Sequence, residues 1–223
     1  MYYWYRFFTY LFYPLAPIYL YYRKIRKKED SIRYKEKLSK INIKRGEGFL
    51  IWFHVASVGE AMSILPLIDS CIKEKKISRI LITSITATSG KILEKRFKNY
   101  PKIDHQFLPF DVISLVNKFL DHWKPDLSIF IDSEIWPNLI LKISQKKIPL
   151  LLVNARITKK TFNRWKFVIN FAKKIFGKFS LCIAANKESE DFLKILGSKN
   201  VKRFGNLKYS NIKDNLKKEL DSN

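Results

Sequence analysis

Phe49-Leu50-Ile51-Trp52-Phe53-His54-Val55-Ala56-Ser57-Val58-Gly59-Glu60 runs five consecutive apolar residues, Phe49 to Phe53, into a short polar segment that ends on a carboxylate. An unbroken apolar run suits a central strand buried on both faces. Ser57 and Gly59 suit a turn, and apolar residues at 64, 65, 68, 71 and 72 predict a helix over 61–72, which Pro66 kinks or delays. Glu60 is thereby expected at the carboxyl end of a central strand. The same Ser57-Val58-Gly59-Glu60 also fits a Ser-x-x-Glu capping box, in which the carboxylate merely satisfies backbone donors. Alone the motif favours the cap, and its company along the chain has to decide.

Outward from this stretch, strand and helix patterns alternate. Apolar runs predict strands at 79–85, near 107–108, and at 127–131, 149–153, 181–185 and 201–204. Helices are predicted between them over 88–97, 112–122, 136–145, 160–176 and 187–196. Strands separated by such helices pair in parallel through right-handed crossovers, so the expected class is α/β with a doubly wound parallel sheet. Ligands of such sheets bind beyond the carboxyl ends of the strands. Four polar clusters fall there: Ser57 to Glu60, Thr86 to Gly90, Asp132-Ser133-Glu134 and Asn154-Ala155-Arg156. Neither a Gly-x-Gly-x-x-Gly fingerprint nor a Gly-Lys-Ser phosphate loop is present, which argues against a dehydrogenase or an ATPase.

Hydrophobic residues make up 47% of the 223, too many for a solvated, disordered chain. Cys71 and Cys182 are too few and too far apart for a disulfide framework, which fits a reducing compartment. The histidines, His54, His105 and His122, lack ligand spacing, so no metal site is predicted and no cofactor is implied. A formal charge of +23 calls for a polyanionic neighbour. Within residues 1–22 Arg6 is the only charge, whereas 23–45 carry eleven Lys or Arg against three acids. An apolar, aromatic segment followed by a basic collar predicts an anchor on an anionic membrane, interfacial rather than spanning because Pro14 and Pro17 interrupt it. The competing possibility is an amphipathic helix packed on the protein's own core. A nucleic-acid-binding role would explain the charge, but neither the apolar segment nor the carboxylates at the strand ends.

Together the four clusters have a chemistry. Thr86, Thr88 and Ser89, at a helix start, offer hydroxyls and amides to a phosphate. Arg156 offers a fork to phosphate or carboxylate, or else forms an ion pair with Asp132 or Glu134. Glu60 and Glu134 among such groups suit the removal of a proton from a substrate hydroxyl.

Six segments carry a resemblance. Phe53 to Glu60, Ser84 to Gly90, Leu108-Pro109-Phe110-Asp111, Ser133-Glu134-Ile135-Trp136-Pro137-Asn138, Asn154-Ala155-Arg156 and Gly205-Asn206-Leu207-Lys208 stand in the order of the Kdo (3-deoxy-D-manno-octulosonic acid) transferase family. The resemblance covers nearly the whole chain. It implies a Rossmann-like domain forming the N-terminal, acceptor-side half of a glycosyltransferase B architecture. The organisation it suggests is an anchor at 1–22, a collar at 23–48, an acceptor-binding domain at 49–209 and a polar linker at 210–223 leading to a donor-binding half. By resemblance, Glu60 is the general base of an inverting transfer from CMP-Kdo to the lipid A precursor, with Glu134 and Lys208 supporting the transition state. Ser57, Gly59, Thr86, Thr88, Ser89, Gly90 and Arg156 would contact substrate. Asp132 departs from the glutamate expected at its position, which shifts weight to Glu134. The implied location is the cytoplasmic face of an inner membrane, and no nucleic-acid partner is expected. The alternative is a binding module for lipid A precursor that lacks catalysis.

Overall fold

The computed structural model describes residues 1–204. Residues 205–223, which include Lys208 and the expected linker, lie outside the described residues. Seven parallel strands form one sheet: β1 (Phe49–His54), β2 (Ile77–Ser84), β3 (Ile103–Phe107), β4 (Leu127–Ile131), β5 (Leu150–Ala155), β6 (Leu181–Ala184) and β7 (Val201–Lys202). Their order is β3-β2-β1-β4-β5-β6-β7, the doubly wound arrangement expected from the alternating pattern.

The apolar run of β1 serves both faces because successive side chains point to opposite sides. Leu50 and Trp52 join the core with Phe119, Trp123 and Phe130, whereas Ile51 and Phe53 join the other with Ile64, Ile68 and Leu93. The first core lies under α6 (Ile113–Trp123), α7 (Pro137–Gln145), α9 (Ile169–Phe176) and α10 (Lys187–Leu196). The second lies under α3 (Val58–Ser63), α4 (Leu65–Lys73) and α5 (Ala87–Phe97). Trp52 and Phe53 are wholly buried, and each such side chain contributes about 1.5–3 kcal/mol, so no edge position would suit β1 as well.

Two predicted helices differ in detail. The helix expected over 61–72 starts earlier and is broken at Ile64 into α3 and α4, with Pro66 in the first turn of α4, where its missing N–H costs nothing. Gly59 therefore sits inside the first turn of α3 rather than in a loop. The helix expected over 160–176 divides at Val168 (φ −120, ψ 44) into α8 (Lys159–Phe167) and α9, in keeping with the weak helix propensity of the aromatic and β-branched Phe167-Val168-Ile169.

Ahead of the sheet come α1 (Tyr2–Phe12), a 3-10 turn at Tyr13–Leu15 and α2 (Ala16–Ile25). Pro14 and Pro17 each occupy a helix-starting position, which divides the segment. Among the described residues, no helix is long and apolar enough to cross a membrane. One edge of α1 packs on the domain, through Tyr2 and Tyr5 against Phe171, while Trp4, Phe7, Phe8 and Tyr10 remain exposed. Part of the basic collar closes the sheet edge. Arg33 donates to the His105 carbonyl and pairs with Glu36 and Glu94, and Glu36 accepts from Phe107 N–H, so the outer side of β3 is covered. Lys37 is buried on Glu29 at 2.6 Å, whereas Arg26, Lys27, Lys28, Lys35, Lys40 and Lys44 stay exposed.

Candidate active site

Between β1 and β4 the connections leave in opposite directions, β1 toward β2 and β4 toward β5, which opens a crevice beyond their carboxyl ends. The loop after β1 carries Glu60 and the loop after β4 carries Asp132 and Glu134. They lie close enough that Glu134 and Asp132 both push up the pKa of Glu60. The largest cause of that rise is desolvation of the half-buried carboxyl, and hydrogen bonds from Ala56 and Ser57 oppose it.

Those hydrogen bonds orient Glu60. Its Oε2 accepts from Ala56 N–H at 2.8 Å and its Oε1 from the Ser57 hydroxyl at 2.8 Å, while Ser57 Oγ accepts from Glu60 N–H at 3.3 Å. The capping arrangement foreseen from Ser-x-x-Glu thus exists. It also holds a carboxylate with raised proton affinity at the crevice, so the cap and the base are compatible roles of one side chain.

Glu134 accepts from the Trp136 indole at 3.0 Å, and His54 Nε2 approaches the same Oε2 at 3.6 Å. Asp132 takes the left-handed conformation (φ 63), as does Asn154 (φ 56) at the end of β5. Backbone held there in two non-glycine residues beside one crevice is local strain of the kind retained at functional sites. Arg156 is exposed just after β5.

At the start of α5, Thr86 and Thr88 are exposed, but Ser89 and Gly90 are buried. Ser89 Oγ lies 2.6 Å from Thr86 Oγ1, which also accepts from Ser89 N–H, so Ser89 completes the helix cap. A Cβ on Gly90 would stand 2.6 Å from Phe107 Cζ, so Gly90 lets α5 pack on β3. Both residues thus have a structural role at the start of α5, Ser89 in the cap and Gly90 in the packing. Ser57 and Gly59 are exposed at the crevice. Lys208 is outside the described residues.

Some participants are not evident from spacing. Asp111 is buried and accepts from Asn138 and Leu139 N–H at 2.9 and 2.8 Å, holding the start of α7, and from the Tyr5 hydroxyl at 2.7 Å. The Leu-Pro-Phe-Asp and Trp-Pro-Asn segments are therefore two sides of one clamp that positions the Glu134 loop. His54, Thr83 and Trp52 lie beneath the crevice on the α6 face. Their only sequence signal is polarity inside otherwise apolar strands.

The profile of the family described as "3-Deoxy-D-manno-octulosonic-acid transferase (kdotransferase)" matches residues 30–211. The 3-deoxy-D-manno-octulosonic acid transferase of Rickettsia bellii is 40% identical over 210 residues, which are 94% of this chain and 49% of that protein. The probable 3-deoxy-D-manno-octulosonic acid transferase, mitochondrial, of Arabidopsis thaliana is 36% identical over 79% of this chain and 40% of its own length. The chain thus spans about half the length, or less, of these curated relatives. Among solved structures, a UDP-N-acetylglucosamine 2-epimerase from Rickettsia bellii aligns with a TM-score of 0.54 at 18% identity, over 78% of this chain and 49% of that one. At such identity the likeness concerns the fold alone.

Proposed function

This chain belongs to the Kdo transferase family, and from that premise we propose that it is the acceptor-side half of an inverting glycosyltransferase acting in lipopolysaccharide synthesis. The acceptor is the lipid A precursor, lipid IVA, and the donor is CMP-Kdo, held by a region corresponding to the remainder of the relatives' length. Glu60 takes the proton from an acceptor hydroxyl as its oxygen attacks the anomeric carbon of Kdo. The bond from that carbon to the CMP phosphate breaks, and CMP leaves as the anion. Glu134 and, by family resemblance, Lys208 support the charge that moves. Thr86, Thr88 and Arg156 meet the acceptor's phosphates.

The observation that carries this reading is the oriented Glu60 carboxyl, its pKa raised, in the crevice between β1 and β4. Glu60→Gln keeps hydrogen-bonding groups for the cap but removes the base. In the chain joined or mixed with a donor half, it should nearly abolish transfer and leave thermal stability near that of the unsubstituted chain. Retained transfer would reduce Glu60 to a cap. Calorimetry with CMP and a transfer assay on the 223-residue chain separate the two halves' contributions, and turnover without a second polypeptide would overturn the half-enzyme assignment.

The protein is further proposed to sit on the cytoplasmic face of the inner membrane. Support comes from the exposed aromatic face of α1, against which α9 sets Lys174 over the Tyr2 ring, and from α8, which presents Arg164, Lys166 and a 90% exposed Phe167. No Asp or Glu occurs between Glu134 and Glu188, so this side of the domain suits anionic lipid. Because Tyr5 is bonded to Asp111, deleting α1 would also disturb the fold. Replacing Trp4, Phe7 and Phe8 by Ser is the cleaner test: flotation with anionic vesicles should be lost, and undiminished flotation would exclude α1 as the anchor.

A further inference from the structure

We infer that His54, Thr83 and Trp52 are positioning residues for Glu134, acting as one buried line of hydrogen bonds that runs from the core to the crevice. This rests on the proposed role of Glu134 in transfer. Trp52 and His54 are two apart on β1 and so share a face, and Thr83 of β2 is the register partner of His54. All three are fully buried.

An indole N–H can only donate, so Thr83 Oγ1 accepts from Trp52 Nε1 at 2.8 Å. The Thr83 hydroxyl keeps one proton for two candidate acceptors, His54 Nδ1 at 2.9 Å and the Phe53 carbonyl at 3.4 Å. The shorter contact places that proton toward Nδ1. His54 then carries its own proton on Nε2. A second line of reasoning reaches the same tautomer. Nε2 is buried, has no hydrogen-bond partner among the described residues, and lies 3.6 Å from Glu134 Oε2. In the other tautomer two acceptors would face each other in an enclosed site, at the full cost of an unsatisfied group. In the Nε2–H tautomer, an approach of about half an ångström makes a hydrogen bond.

Oε2 of Glu134 is then addressed by two ring N–H groups, from His54 below and Trp136 at 3.0 Å. Two donors on one oxygen fix the plane of the carboxyl group and leave Oε1 as the oxygen they do not engage. One of these rigid rings comes from the central strand β1 and the other from the residue that caps α7.

Nitrogen-15 NMR of the histidine rings in the 223-residue chain tests the line without substrate. At neutral pH, His54 should show a protonated Nε2 and a bare Nδ1. Thr83→Val should scramble that tautomer and Thr83→Ser restore it, while the carboxyl carbon-13 shift of Glu134 should move in His54→Phe. A proton on Nδ1 in the unsubstituted chain, or an unmoved Glu134 signal, would overturn the inference. With a donor half present, His54→Phe should lower kcat about 10- to 100-fold with KM little changed, and His54→Gln, which retains an N–H, should recover part of it. Equal losses in kcat for Phe and Gln, tracking thermal stability, would show a packing role only and count against it. The expected tautomer in a chain that shows no transfer with any donor half would uphold the line and remove the transferase reading instead.

Discussion

Glu60 has both oxygens engaged by its own strand-to-helix turn, so the direction of the carboxylate and the start of α3 depend on the same few bonds. Ser57→Ala breaks one contact to each. It should cost about 1 kcal/mol of stability as a lost cap and also lower transfer, since Oε1 loses its donor; denaturant titration beside a transfer assay reads both. Gly59, next to it, is a test of function without stability. Its Cβ would meet nothing within 4 Å, and glycine inside a helix costs about 1 kcal/mol relative to alanine, so Gly59→Ala should leave stability unchanged or raise it. If transfer falls all the same, the acceptor approaches the backbone there. Gly90→Ala should do the reverse, losing about 1–3 kcal/mol because Phe107 has no room to give. Sequence spacing put both glycines at strand ends and could not distinguish them, since the neighbour that fills the space at Gly90 comes from β3.

At the scale of elements, the alternation of strands and helices was legible because each helix supplies one apolar face and each central strand two. The polar clusters at the strand ends were legible for the same reason. What spacing could not give were contacts between distant elements, and the clamp formed by α1, Asp111 and α7 is the main one. Tyr5 lies 106 positions from Asp111, and nothing local to either residue announces the bond. Tyr5 also has its pKa strongly raised by burial and by Asp111, so it stays a donor throughout the working range of pH. Tyr5→Phe removes that donor from a buried carboxyl and should cost about 1–3 kcal/mol. Limited proteolysis should then cut near α1 earlier than in the unsubstituted chain, while an unchanged pattern would mean that the aromatic contacts to Phe171 and Phe110 alone hold the helix.

For the molecule as a whole, the apolar segment and the collar illustrate how charge counted along a sequence is divided by folding, some of it to face outward and some to close an edge. His105 sits at that edge, on β3, and it gives the fold a defined response to acid. Its ring is enclosed, and desolvation, helped by the nearby Arg33 guanidinium, pushes its pKa from 6.5 down to about 3. The folded chain therefore keeps it neutral where the unfolded chain protonates it. Between pH about 6.5 and 3 the unfolded state binds more protons, so this residue's contribution is present at neutral pH and is lost as pH falls. Asp111 has the opposite sign. Burial raises it from 3.8 to about 6 despite its three donors, so the folded state binds more protons between those values and gains stability as pH falls. In the unsubstituted chain the two partly cancel between pH about 6 and 3.8. His105→Gln keeps a group within reach of Ser84 but cannot titrate, and so leaves the Asp111 response unmasked. Its stability relative to the unsubstituted chain should therefore improve steadily from pH 7 to pH 4 in urea titrations, whatever the fixed cost of the substitution. A stability difference that stays constant across that range would mean that His105 binds its proton equally in both states, and the acid response would have to be sought in another residue.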